Sequence, residues 1–206
     1  MGWTKVHGRG VLCIENGCVF IDATKGIQNL FETRELLIEA FNEVVKRGPR
    51  ANEKMMGVKI ILNDAKLHED AIHRGPAQTI PAVRNACRGA LIRSRPVILE
   101  PMQNIRVDAP NDVIGGVTRE VTNRRGIIED MPVDGGTASV IGKMPVAETF
   151  GFSNDIRAAS QGRAVWNTEN AGFEMLPPSL FEKTVGEIRE RKGLKAEVPS
   201  EANYTD

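Results

Sequence analysis

The sequence predicts an α+β chain of two consecutive two-layer α/β domains. Three observations carry this. Short strand-like runs alternate with helical periodicity, the alternation restarts near Met102, and the second half follows the order strand-helix-strand-strand-helix-strand. Its 206 residues suffice for two small domains. A 41% apolar and 26% charged composition fits an ordinary globular chain.

In the first half, 11–14 and 19–23 read as strands around an Asn16-Gly17 turn, the dipeptide suited to two consecutive positive φ angles. A helix follows over 33–46. Leu37, Phe41, Val44 and Val45 keep helical spacing, and Gly48-Pro49 ends it. Residues 57–67 alternate as a strand with one buried face. The polar stretch His68 to Pro76 reads as a loop, and 79–94 as a helix with Ile80, Val83, Cys87 and Leu91 inward. Arg84 and Arg88 lie roughly 100 degrees from that stripe, at its edge. Residues 97–99 make a short strand.

The second half predicts strands at 105–109, 127–131, 138–144 and 164–168. Its helices carry Val113, Val117 and Val121, then residues 153–161. This is the ferredoxin-like βαββαβ pattern, an antiparallel sheet with both helices on one face. A last helix starts at a Ser179/Glu182 capping box and ends at Gly193. Residues 196–206 read as a mobile tail. The expected divisions are 1–101, 102–178 and 179–206, with a functional loop at 68–78.

Composition limits the chemistry. The net charge is zero, with 27 basic and 27 acidic residues, so RNA contact requires local patches. Two exist in the sequence: Arg84, Arg88, Arg93 and Arg95, and Arg189, Arg191, Lys192 and Lys195. Cys13, Cys18 and Cys87 have no metal-type spacing and read as small buried hydrophobes, so no metal is expected. His68 and His73 are five apart, not the four of a zinc-protease helix, and five residues turn a helix by about 140 degrees off one face. No phosphate-cradling G-x-x-x-x-G-K-[ST] loop and no G-x-S-x-G elbow occurs. Residues 1–9 lack the apolar run of a secretory signal, and no run of 18 apolar residues exists. A cytoplasmic, membrane-free monomer is expected. One chemical reading is an acid-base pair of Asp70 and His73 in a stand-alone enzyme.

A resemblance goes further. Leu67-His68-Glu69-Asp70-Ala71-Ile72-His73-Arg74-Gly75-Pro76-Ala77-Gln78 is similar to the tip loop of the fourth domain of the elongation factor 2 family, in its archaeal form. The likeness extends through residues 19–26, 145–152 and 189–195, and covers 2–195. It implies a partial fourth domain folded like domain 2 of ribosomal protein S5, then a ferredoxin-like fifth domain. It implies that His73 is the residue converted to diphthamide by dedicated enzymes. It further implies that His68, Asp70, Ile72, Arg74, Gly75, Pro76 and Gln78 surround the RNA contact. Arg84, Arg88 and Arg95 are the phosphate-contact candidates beside that loop. The implied partners are the ribosome, through its rRNA and the tRNA-mRNA duplex of the decoding region. GTP and magnesium belong to an N-terminal domain outside this chain, so no cofactor and no catalysis are expected here.

Overall fold

The computed structural model describes residues 2–204. It divides into two compact units. One holds the chain up to Pro96 together with the residues from Glu182 on, and the other holds Val97–Phe181.

The first unit opens with a short helix α1 (Lys5–Arg9), capped by the Thr4 hydroxyl on the His7 N–H. Strands β1 (Val11–Glu15) and β2 (Cys18–Asp22) form an antiparallel hairpin. Asn16 and Gly17, at φ 48° and 69°, make the turn. Helix α2 (Arg34–Lys46) then crosses to β3 (Lys59–Leu62), which pairs parallel to β2 and completes the order β1-β2-β3. Helix α3 (Pro76–Arg93) packs on α2. Phe20 and Phe41 stack at 5.1 Å in a core with Cys18, Leu37 and Val45. Val44, Cys87 and Leu91 join the two helices. Burial pushes the Cys87 thiol up to about 11 and raises those of Cys13 and Cys18, as expected of packed hydrophobes rather than reactive thiols.

The second unit has β4 (Leu99–Pro110), α4 (Ile114–Asn123), β5 (Ile127–Asp130), β6 (Val133–Asp134), β7 (Thr137–Pro145), α5 (Phe152–Ala159) and β8 (Val165–Met175). The sheet order is β5-β7-β4-β8, all antiparallel, with β6 added to β7. Val117, Val121, Ile156 and Phe152 meet Ile105, Val107, Val140 and Met144 in its core. This is the ferredoxin-like arrangement the spacing predicted.

Several boundaries differ from the sequence reading. Strand β3 stops at Leu62 rather than Leu67, and all four of its residues are half-buried, because it lies at the sheet edge. The expected strands at 97–99 and 105–109 are one strand, β4. Pro101, at the expected division, sits where the β4–β8 register slips, a bulge that tolerates its missing donor. The seam therefore falls at Pro96/Val97, not at 101. Pro76 opens α3 at its first turn, where a fixed φ and a missing N–H cost nothing, so the helix starts before Thr79. Helix α6 (Pro178–Arg191) begins before Ser179, which leaves Ser179 inside it rather than capping it. Gly193, at φ 63°, ends α6, with the Leu194 N–H returning to the Arg189 carbonyl at 2.9 Å.

The residues after α6 are docked, contrary to the expected mobile tail. A 3-10 turn at Glu201–Tyr204 packs on α3, with Tyr204 against Gly89 and Glu201 3.6 Å from Arg93. Thr205 and Asp206, the end of the expected tail, lie outside the described residues.

Candidate nucleic-acid interface

The segment between β3 and α3 builds its own shape. Asp70 caps a 3-10 turn at Ala71–Arg74, its carboxylate accepting the Ile72 N–H at 3.2 Å and its carbonyl the His73 N–H at 3.2 Å. The Asp70 N–H donates to His68 Nδ1 at 3.0 Å. This fold brings His68 and His73 into edge contact, ring centres 4.5 Å apart, although helical spacing would have separated them. No third ligand joins them: among the described residues no three His, Cys, Asp or Glu side chains gather around a metal-sized space.

Arg74 holds the loop. Its side chain is only 8% exposed. The guanidinium donates to the carbonyls of His68 (2.8 Å) and Glu69 (2.6 Å) and pairs with Glu32 at 2.6 Å. Its own carbonyl accepts the Thr79 hydroxyl at 3.1 Å, which ties the loop to α3. The two terminal nitrogens of its fork are thus engaged inside the unit, while its enclosed Nε has no hydrogen-bond partner, so an RNA contact by Arg74 would compete with these bonds. Ile72 (74% exposed) and His73 are left outward, with Pro76 and Gln78 also exposed. Gly75 has an ordinary extended backbone (φ −73°), so its conformation does not demand glycine.

Beside the loop runs a groove of about 500 Å³, walled by Phe20, Ile60, Leu62, Val83 and Ala86, with His68 and His73 at its lining. Asp70 is not among its lining residues, and its carboxylate is engaged by the Ile72 N–H. The Asp70–His73 acid-base pair is thus not assembled in the groove.

The basic edge of α3 is unequal. Arg84 reaches back to Glu43 on α2 at 3.0 Å, so a phosphate contact there would compete with that partly exposed pair. Arg93 faces Glu201. Among the described residues Arg88 and Arg95 form no ion pair. Arg88 is half-buried with its Nε enclosed, and Arg95 is exposed just past the helix end at φ 55°.

Two family models divide this chain between them. "Elongation factor G, domain IV" matches residues 1–95 and "Elongation factor G C-terminus" matches residues 97–184. Elongation factor 2 of Picrophilus torridus is 50% identical over 203 residues, 98% of the chain and 28% of the relative. Those of Thermoplasma volcanium and Archaeoglobus fulgidus are each 49% identical over the same shares. The chain belongs to the elongation factor 2 family. It spans 28% of the length of these curated relatives and corresponds to their C-terminal part. The two elongation factor models meet at the seam where the structure divides, between residues 95 and 97.

Within the C-terminal basic cluster, Arg189 and Lys192 are engaged inside this elongation factor unit, while Arg191 and Lys195 are exposed. Arg189 is 5% exposed. Its guanidinium gathers the carbonyls of Lys195 (2.8 Å), Glu197 (2.7 Å) and Arg50. Lys192 donates to the Ala51 and Asn52 carbonyls at 3.1 and 2.6 Å and pairs with Glu53 at 2.8 Å. Arg189 follows buried Val185 by four residues, so helical spacing on the inward face was the available signal. Glu32, the partner of Arg74, is 42 residues away in sequence and carried no such signal.

Proposed function

We propose that the chain is the ribosome-engaging C-terminal part of a GTP-driven translocase. Its loop from His68 to Pro76 enters the decoding region, and His73 is the modified, RNA-facing residue. The observation that supports this best is the division of labour in the loop: the nearly buried Arg74 side chain fixes the backbone, while Ile72 and His73 face outward. A surface loop held by its own polar groups presents a ring to solvent at small cost in order. Extending His73 with a charged, amide-bearing group would add hydrogen-bond donors there, and an exposed imidazole is accessible to a modifying enzyme. GTP hydrolysis belongs to an N-terminal domain of the whole factor, and this chain contributes binding.

The electrostatic part of that contact falls to Arg88 and Arg95, the α3-edge cations without an internal carboxylate partner. Phosphate contacts release counterions, so RNA affinity should fall steeply with salt. Arg88→Ala should weaken RNA binding and lower the slope of log affinity against log salt by about one. An unchanged slope would make Arg88 a packing residue. The uniform loss expected across RNA sequences separates phosphate contact from base reading.

A further inference from the structure

We propose that Phe31 is a base-stacking residue beside the tip loop, taking an unpaired base of single-stranded RNA. The inference rests on the RNA-facing reading of that loop and adds the part electrostatics cannot supply. Proteins that hold single strands pair cations with aromatic platforms, and no aromatic residue flanks the arginines of α3 in sequence. The fold supplies one from elsewhere. Phe31 is 85% exposed and stands on a 3-10 turn, Phe31–Thr33, that runs directly into α2.

The backbone under the ring is fixed on both sides. Thr33 is buried, and its N–H and hydroxyl bond the Leu30 carbonyl at 3.1 and 3.0 Å. Glu32 is pinned to Arg74, the residue that also clamps His68 and Glu69 and directly follows His73. One ion pair therefore connects the residue before it, Phe31, to the residue before its partner, His73. A ring held this way loses little further backbone freedom on binding, which favours a flat partner able to cover its face. Arg34, exposed and without an ion pair among the described residues, comes one 3-10 turn after Phe31 and can meet the neighbouring phosphate. Zero net charge means that long-range attraction is weak, so local stacking carries more of the contact.

The test titrates the 206-residue chain and three variants, Phe31→Ala, Phe31→Trp and Arg88→Ala, with a labelled ten-nucleotide oligoadenylate and its abasic counterpart at low salt. Phe31→Ala should bind oligoadenylate about five-fold or more weakly, with its salt slope and its abasic binding unchanged. Phe31→Trp should bind as well as the parent or better. Both Phe31 variants should keep the parent's melting temperature, since the ring is exposed. If Phe31→Ala binds oligoadenylate like the parent while Arg88→Ala weakens it, stacking is overturned and the phosphate edge stands. If Phe31→Ala acts and Arg88→Ala does not, stacking stands and the edge fails. Equal loss on the abasic probe overturns stacking, because backbone rather than base would be the partner. Unchanged RNA binding with lost binding to small ribosomal subunits also overturns it, in favour of a protein partner. A parent chain that binds neither probe overturns both readings.

Discussion

Arg74→Ala should loosen the loop from His68 to Pro76 and destabilise the first unit by about 2 kcal/mol, a loss on the scale of one or two charge-assisted hydrogen bonds. The side chain is nearly buried and makes three polar contacts that no neighbour can replace. The freed carbonyls of His68 and Glu69 lie near solvent and regain water, which keeps the loss below that of a fully buried cluster. For a unit of this size the melting temperature should fall by about 6 °C. Amide exchange at His73, whose N–H bonds the Asp70 carbonyl, should accelerate more than exchange in β2. Arg74→Lys should rescue little, because an ammonium cannot span two carbonyls and a carboxylate as the planar fork does. A melting temperature and loop exchange equal to the parent's would show that the loop holds its shape without the clamp.

Arg189→Ala should cost more, about 3 kcal/mol, because it strips a buried guanidinium from three carbonyls supplied by separated segments. Its signature should be local as well as global. Residues 195–204 are held by Arg189, by the Glu201–Arg93 pair and by Tyr204 on α3. Without the guanidinium, limited proteolysis should cut in this stretch before it cuts α2 or α3. Cleavage first in the helices, or no change in stability, would mean that the 3-10 turn alone docks the C-terminal segment.

Periodicity made much of this fold legible. Val113, Val117 and Val121 lie four apart and all three are buried against the second sheet. Asn16-Gly17 declared its turn through the backbone it permits. What the sequence hid depends on distant partners. The restart of alternation after 97–99 looked like a break near 101, yet one strand runs through it, with Pro101 absorbed by a bulge on the β8 side. Gly75-Pro76 looked like a loop because both residues interrupt helices, yet Pro76 serves as a first-turn residue. His68 and His73 were legible as part of an exposed polar loop. The arginines were not, because a guanidinium serves equally as a surface cation and as an internal clamp. Only the position of Glu32, Glu43 and the carbonyls of Arg50, Lys195 and Glu197 separates Arg74, Arg84 and Arg189 from Arg88 and Arg95.

The central claim is that His73 is displayed for function and not for stability. The direct measurement is translocation rate and reading-frame fidelity in the full-length factor carrying His73→Ala, made beside the melting temperature of the 206-residue chain with the same change. The residue is exposed and, among the described residues, its ring meets the edge of His68, so the melting temperature should hold within about 2 °C, as for a surface substitution. Translocation rate or frame fidelity should fall, and the variant should gain no mass when the histidine-modifying enzymes are supplied, whereas the parent should. A variant that melts early yet translocates and holds frame normally would contradict the account and reduce His73 to a packing residue of its own loop.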